Sequence, residues 1–238
     1  PISAQTSPIA YLYDGITSRL LPISVSGAGE PLALPLPENS YASAFDMSFT
    51  GNGSRVAYCP INYGIANPDG SSASPPNARL LVRDLATSTT TLDLDLGAAI
   101  GCRPFWRDDG AFVAVGIVRA LPGDILAAQI PSSWELMIIE PASGGTLAAL
   151  NATTGSGIPM PPGNTFMPLI RRFTGTQVTF GVLPYAVGGI ASIPAYMWTI
   201  DSGALTPDDP WGQPVLDSLS AAGEVAWLAE DAGRPSGE

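Results

Sequence analysis

This sequence contains no histidine, and its 10 basic residues are all arginine, so lysine is absent as well. These absences exclude Ser-His-Asp and Cys-His catalysis, histidine metal sites, lysine Schiff bases and the lysine of a P-loop. Charged residues make up only 13% of the 238 residues, and the formal net charge is −11. Nucleic acids and anionic membranes are bound by basic surfaces, so neither is expected as a partner.

Long hydrophobic runs are missing too. No apolar stretch reaches the roughly 18 residues that a membrane-spanning helix needs, so we expect no direct membrane insertion. Apolar residues still make up 45% of the chain, which predicts a folded core rather than disorder. The 26 glycines and 24 prolines favour many short strands joined by turns. Because the chain begins at Pro1 rather than at methionine, we expect a processed or partial product.

Two strand patterns recur along the chain. In the first, a tight turn containing glycine joins two apolar strands, and its copies span 45–59, 104–115, 169–180 and 215–227. In the second, a strand ending in an acidic residue is followed by a short turn and another strand, at 10–21, 80–92, 136–147 and 196–205. We expect the acidic residues to bond to their own turns; they are Asp14, Asp84, Glu140 and Asp201.

The order of these patterns predicts an all-β chain, most simply a β-propeller with four blades of four antiparallel strands, a to d. Strands c and d at the N-terminus would pair with strands a and b at the C-terminus and so close the ring, which removes exposed sheet edges. The predicted single domain divides into a half blade 8–23, blades 45–96, 104–150 and 168–206, and a half blade 214–230. The alternative interpretation is a β-sandwich with coincidental hairpins.

The first pattern resembles the WD40-like repeat of TolB-type propellers, and the nearest copies are FTGNGSRVAY at 49–58 and WRDDGAFVAV at 106–115. The segment VRDLAT at 82–87 is similar to a second element of that family, whereas the Trp-Asp dipeptide of true WD40 repeats is absent. TolB-type propellers usually have six blades, so a four-bladed ring, a fragment of a larger ring and half blades shared between protomers are all open. Related propellers of prolyl-oligopeptidase-like enzymes carry a separate hydrolase domain with a catalytic histidine, so the resemblance implies scaffolding or binding.

The long connections all fall between strands b and c or d and a, and these lie at one face of a propeller. The segments are 62–78, 119–133, 184–195, 24–44, 151–167 and 206–214. Several are apolar, and exposed apolar patches often mark interfaces; the alternative is that the loops pack on one another. The residues expected on this partner-binding face are Leu121, Ile125, Leu126, Ile158, Met160, Tyr185, Val187 and Trp211.

Two cysteines allow one disulfide. Cys59 ends a predicted strand b and Cys102 lies in the following d–a connection, so both are expected near one face of neighbouring blades. A bridge requires Cα atoms within about 7 Å, and two buried thiols are the alternative. Asn52 and Asn151 each begin an Asn-x-Ser/Thr glycosylation pattern. No spacing typical of a metal site occurs, so no metal, cofactor or catalytic residue is predicted.

These observations favour a non-enzymatic, extracytoplasmic β-propeller that serves as a structural or protein-binding module, for example as a subunit of a larger surface or envelope assembly. A partner or a second copy would dock on the face that carries the long loops. The first alternative is a propeller that binds a small molecule or glycan, for which Trp106, Trp211 and Trp227 should converge on a pocket. The second is a glycosidase-like enzyme, for which two carboxylates should lie about 5–10 Å apart in a cleft.

Overall fold

A computed structural model describes residues 10–24, 27–43, 46–63, 76–120, 132–151, 158, 166–184, 192–212 and 226–228. Regular structure in these ranges is β-strand, apart from a single 3₁₀ residue at Asp46. The all-β fold class is therefore confirmed. No helix among the described residues is long and apolar enough to cross a membrane. The strands form separate open sheets, which we divide below into four units in chain order.

The first unit combines both ends of the chain. Its central hairpin is formed by β1 and β2, whose short connection contains Ser18 at a φ of 53°. The two-residue strands β3 and β4 both pair with β2, and β18 pairs with the free edge of β1. The bounds are β1 Ala10–Asp14, β2 Arg19–Ser24, β3 Gly27–Ala28, β4 Leu32–Ala33 and β18 Ala226–Leu228.

The pairing of the chain ends departs from the prediction in its direction. The expected antiparallel arrangement is wrong, because β18 runs parallel to β1, with Tyr11 opposite Trp227 and Leu12 opposite Leu228. Either direction supplies partners for the N–H and C=O groups along the edge of β1, although parallel bonds are slanted and slightly weaker. The apolar character of a three-residue strand predicts that it pairs, but does not specify its direction.

The second unit is an antiparallel meander in the order β6-β7-β9-β10. A two-stranded ribbon formed by β5 and β8 extends it, since β8 pairs with both β5 and β9. The bounds are β5 Ser40–Tyr41, β6 Met47–Phe49, β7 Arg55–Tyr58, β8 Ile61–Asn62, β9 Asn77–Asp84 and β10 Thr89–Trp106.

Strand β10 belongs to two units. Residues 89–98 pair with β9, whereas Ala99–Trp106 pairs with β11, and the pairing register shifts on either side of the junction. Gly97 lies in this junction at a φ of 74°, a conformation that only glycine adopts without strain. The prediction that Cys102 lies in a d–a loop is therefore wrong, since the last strand of the second unit continues directly into the first strand of the third.

The third and fourth units repeat the four-stranded antiparallel order. In the third unit the C-terminal half of β10 is followed by β11 Val113–Ala120, β12 Ser132–Glu140 and β13 Gly145–Asn151. The fourth unit consists of β14 Phe166–Thr174, β15 Gln177–Pro184, β16 Ser192–Thr199 and β17 Ala204–Gly212. The predicted loop over 206–214 is wrong up to Gly212, because β17 remains paired with β16 there.

Three hydrophobic clusters lie between successive units. The first joins Tyr11 and Tyr13 to β6, β7 and β9, and the second joins β7 and β9 to β11. The third joins Trp134 of the third unit to Phe173 and Phe180 of the fourth. Each sheet alternates its side chains between its two faces, so a middle unit buries one face against the preceding unit and the other against the following one. The units therefore pack face to face in chain order.

Candidate interaction surfaces

The strand ends define two surfaces. We call the end with the hairpin turns 15–18, 51–54, 85–88, 107–112, 141–144, 175–176 and 200–203 the turn face, and the opposite end, with the longer connections, the loop face. The turn face is described in full for these hairpins. On the loop face the described segments are 27–43 and 59–63, together with Ile158 and the adjoining strand ends.

The turn face is linked by a repeated contact between units. In three hairpins the carbonyl oxygen of the turn glycine accepts a hydrogen bond from a side chain of the preceding unit. Tyr11 Oη donates to Gly53 at 3.0 Å, Arg55 Nη2 to Gly110 at 2.6 Å and Arg107 Nη1 to Gly175 at 3.3 Å. These turn carbonyls, which lie at sheet ends without a strand partner, are thereby satisfied, and the units are held in register.

Both arginines of this contact also stack on aromatic rings. The Arg55 guanidinium lies 4.6 Å from the ring centre of Trp106, and that of Arg107 lies 4.2 Å from the ring centre of Phe112. Arg107 forms two 2.8 Å bonds to Asp109, and this ion pair holds the pKa of the Asp109 carboxyl below its ordinary value. Planar guanidinium groups combine stacking and forked donation, a role that lysine does not fill.

We expect Arg55→Met to lower the free energy of unfolding by about 1–2 kcal/mol, because it removes the bond to Gly110 and the stacking on Trp106 but keeps an apolar stem. The matched control is Arg79→Met. Arg79 pairs with Asp93 across β9 and β10 with side chains 33% and 51% exposed, so its loss should cost less than about 1 kcal/mol. Urea unfolding measures both. Equal losses would contradict the assignment of Arg55 as a contact between units.

The acidic residues at the ends of the second strand pattern are engaged in their own turns. Asp14 accepts a bond from the Ile16 N–H at 3.0 Å, Asp84 from the Thr87 N–H at 2.8 Å, and Glu140 from the Ser143 hydroxyl at 2.6 Å. Hydrogen bonds from the turn lower the pKa of the Asp14 and Asp84 carboxyls. For these three carboxylates the structure agrees with a role in turn formation.

On the loop face, the connection between the first two units packs against both of them. Leu34 and Ala42 are buried, and Tyr58 Oη donates to the Pro35 carbonyl at 2.9 Å. Tyr13 Oη donates to the Ala42 carbonyl at 3.0 Å. The described part of the long connection predicted over 24–44 therefore packs on the sheets, as the alternative of loop packing expects, because tyrosine hydroxyls and apolar contacts hold it there.

In the described part of the loop face, two tyrosines are exposed. Tyr41 lies in β5 and is 54% exposed, and Tyr63 directly follows β8 and is 51% exposed. Tyr41 lies opposite Ile61 in the ribbon, and Tyr63 follows Ile61 by two residues. We call this pair the tyrosine patch. By contrast, Ile16 on the turn face is 87% exposed but stands alone at its turn.

The structure describes two of the eight residues predicted for the partner-binding face. Ile158 is buried in the cluster between the third and fourth units, so its prediction as an exposed contact is wrong, and the alternative of loop packing holds at this position. Trp211 lies in β17 opposite Ile193 rather than in a loop. Leu121, Ile125, Leu126, Met160, Tyr185 and Val187 lie outside the described residues.

The three tryptophans proposed for a ligand pocket belong to different units. Trp106 is buried between the second and third units, where its Nε1 donates to the Ser48 carbonyl at 3.0 Å. Trp211 belongs to the fourth unit and Trp227 to the first. The packing of Trp106 between sheets accounts for that residue without a ligand. Within the described ranges, no group of three or more His, Cys, Asp or Glu residues could hold a metal ion.

Cys59 and Cys102 form a disulfide, with their Cα atoms 5.7 Å apart. Both residues are fully buried in the cluster that joins the second and third units. The bridge ties the end of β7 to the half of β10 that belongs to the third unit. Of the two glycosylation candidates, Asn52 is exposed in its turn and Asn151 is half-buried at the end of β13, and modification of either one stays a prediction.

Sequence reasoning missed the side-chain contacts to the turn glycines. An arginine stands within three residues of each of these glycines, at Arg55, Arg107 and Arg172, but Arg55 follows its glycine whereas the other two precede theirs. The third donor, Tyr11, belongs to a different strand type. The sequence therefore shows arginines beside glycine turns. It does not show that each donating arginine bonds to the turn of the next unit rather than to its own.

Comparisons with known proteins identify a fold but no family. No protein-family model matches the chain, and no curated protein matches it either. Among solved structures it is similar to the tricorn protease, with a TM-score of 0.50 and 11% identity over 84% of this chain and 22% of that one. TolB from Acinetobacter baumannii gives a TM-score of 0.40 and 10% identity, over 84% of this chain and 43% of TolB. An acylaminoacyl peptidase from Pyrococcus horikoshii gives 0.46 and 11%, over 81% of this chain and 28% of the peptidase.

This chain spans less than half the length of each of these three proteins. At identities this low, similarity concerns the fold alone. The succession of four-stranded antiparallel units, together with the match to the tricorn protease, supports a β-propeller fold for this chain.

Proposed function

We propose that this chain is a non-enzymatic β-propeller of the TolB-type repeat family that serves as a structural or protein-binding module. In this proposal the ring has four blades, and β18 closes it by completing the first unit. The pairing of β18 with the edge of β1, although parallel rather than antiparallel, and the four-stranded composition of the later units support closure. The structurally similar peptidases and TolB are much longer proteins, so the proposed function does not include their activities.

The observation that carries the proposed binding role is the contrast between the two faces. On the turn face arginines, carboxylates and glycine carbonyls bond to one another, and among its described turns Ile16 is the single exposed large hydrophobic side chain. On the loop face the tyrosine patch presents two aromatic rings to solvent. Tyrosine is enriched at protein interfaces, since it buries a large area while keeping a polar tip. A protein partner, or a second copy of the chain, is therefore proposed to dock on the loop face.

The proposed location is extracytoplasmic. Disulfides persist in oxidising compartments and are rare in the cytosol. The bridge between Cys59 and Cys102 is buried between two units, where it contributes to the packing of the domain and is shielded from solvent. These features support a secreted, periplasmic or surface-exposed protein, such as a subunit of an envelope assembly.

Site-specific photocrosslinking tests the binding face. A photoreactive phenylalanine replaces Tyr63 in one protein and Ile16, on the turn face, in the matched control, and each is irradiated in material from the native source. We expect one discrete adduct, either with a partner or with a second copy, from position 63 only. An excess of wild-type protein without the photoreactive residue should compete for the partner and prevent this adduct. An excess of the Tyr41→Ser/Tyr63→Ser variant should not prevent it. The same adduct from both positions, or none from position 63, would contradict the proposal.

A further inference from the structure

The turn between β6 and β7 contains the only Asn-Gly dipeptide in the sequence, Asn52-Gly53. In such a pair the backbone nitrogen of glycine can attack the side-chain carbonyl carbon of asparagine, since glycine has no side chain to hinder the approach. Asn52 is exposed, so water reaches the site, whereas Gly53 is buried beneath Tyr11. The two reacting groups of this dipeptide therefore lie in different environments.

The side-chain carbonyl of Asn52, whose carbon would be attacked, is surrounded by hydrogen-bond donors. Asn52 Oδ1 accepts hydrogen bonds from the Thr50 hydroxyl at 2.9 Å, the Ser54 hydroxyl at 2.8 Å and the Ser54 N–H at 3.0 Å. The backbone donor fixes which side-chain atom is the oxygen, because an amide nitrogen does not accept this bond. Donors grouped around a carbonyl oxygen stabilise the negative charge that develops there on attack at its carbon.

The same turn engages the attacking atom, the backbone nitrogen of Gly53, in a hydrogen bond. Gly53 N–H donates to the Thr50 carbonyl at 2.7 Å, so its nitrogen is occupied in the closed turn. The Gly53 carbonyl accepts the bond from Tyr11 at 3.0 Å, and the residue is fixed at a φ of 66°. Attack on Asn52 needs this N–H to lose its proton and the peptide to rotate. Neither deprotonation nor rotation takes place while the Gly53 N–H is bonded to Thr50 and the Gly53 carbonyl is bonded to Tyr11.

We propose that Asn52 is a gated modification site, which stays intact while the first unit holds Gly53 through Tyr11 and is converted to a succinimide when that contact opens. The Gly53 nitrogen loses its proton to solvent and forms a bond to Asn52 Cγ, and Nδ2 leaves as ammonia. Water then opens the ring at Cγ to give aspartate, or at the backbone carbonyl to give isoaspartate. No oxidant or reductant takes part, and water is the only co-reactant.

The product would make the opening irreversible. Isoaspartate adds a carbon to the backbone between positions 52 and 53, so Gly53 can no longer reach Thr50 and Tyr11 in the same turn. Either product also replaces a neutral amide with a carboxylate in a chain that already carries a net charge of −11. The dipeptide thus converts transient separation of the first two units into a permanent chemical change.

The test measures conversion of Asn52 by peptide-mapping mass spectrometry, in native protein and in urea-unfolded protein at the same temperature and mildly alkaline pH. We expect the native rate to be at least about tenfold lower, because only the open state reacts. Tyr11→Phe removes the bond to Gly53 and should raise the native rate about fivefold, as one buried hydrogen bond shifts the open population by about that factor.

The matched control is Tyr13→Phe, which removes a hydrogen bond of the same length from the same strand but does not touch Gly53. The rate at which Asn52 is converted in native Tyr13→Phe protein should equal the wild-type rate. Equal native and unfolded rates in the wild type would overturn the proposal, and this comparison needs no variant to fold. Equal acceleration by both tyrosine variants would also overturn it, since global loosening rather than the Gly53 contact would then control the reaction.

Discussion

Replacing Gly116 with alanine is expected to lower the free energy of unfolding by about 3 kcal/mol and the thermal midpoint by about 6–12 °C. Gly116 lies in β11, where the fourth unit crosses close to the third. A Cβ atom at this position would overlap the backbone oxygen of Pro168, and it would lie only 3.2 Å from the Pro168 Cβ. A backbone oxygen has no rotamer through which to move away, so β14 itself would have to shift.

The matched control for this prediction is Gly51→Ala. A Cβ atom at Gly51 would meet no atom within 4 Å, and the substitution needs no left-handed backbone. It should therefore change the free energy of unfolding by no more than about 0.5 kcal/mol. Urea and thermal unfolding of both variants provide the measurement. A Gly116→Ala protein as stable as the wild type would show that β11 and β14 do not approach as described.

Removing the disulfide is expected to cost about 4 kcal/mol, which is the chain-entropy value for a loop of this length. The bridged residues are 43 positions apart. The Cys59→Ala/Cys102→Ala variant tests this by urea unfolding under oxidising conditions. Because the replaced side chains are buried, the variant should also lose some packing between the second and third units.

A comparison of wild-type and variant protein under reductant separates the crosslink from the packing. Native wild type should resist reduction, because both cysteines are fully buried and a thiol reaches them only on opening. Once the protein has been unfolded and reduced, its stability should fall close to that of the double variant. Rapid reduction without loss of structure, or a double variant as stable as oxidised wild type, would contradict the assigned role of the bridge.

Local patterns of the sequence predict the strands and hairpins of this protein well. Alternating apolar residues and the turn glycines Gly53, Gly110 and Gly175 identify hairpins that the structure contains, because a tight turn requires the backbone freedom of glycine or a polar residue. The predicted positions of Cys59 and Cys102, near one face of neighbouring blades, also allow the disulfide that the structure contains. These features depend on residues that are close in sequence or belong to one repeated pattern.

Features that depend on how units meet were not predictable in the same way. The continuity of β10 through Gly97 replaces an expected loop, because a bulge at one glycine can redirect a strand into the next sheet. The need for glycine at Gly116 arises from Pro168, which is distant in sequence. The parallel direction of β18 has no local signal at all.

The proposed binding surface keeps the face predicted from the sequence but rests on different residues. The predicted contact Ile158 is buried, whereas Tyr41 and Tyr63 were not singled out, because their exposure depends on the ribbon of β5 and β8. Two-residue strands leave no periodic pattern in a sequence. An apolar loop therefore does not show by its composition whether it covers the protein or faces a partner.

The most direct test of the whole account is a crosslink between the chain ends. Leu12→Cys and Leu228→Cys introduce thiols at partner positions of β1 and β18, and paired strands lie about 5 Å apart, which a disulfide can span. We expect an intramolecular bond to form in the folded protein on mild oxidation, with a raised thermal midpoint. Leu12→Cys combined with Leu147→Cys, in the third unit, is the control that should not close. Failure of the first pair to close within one chain would contradict the proposal that the two ends complete a single unit.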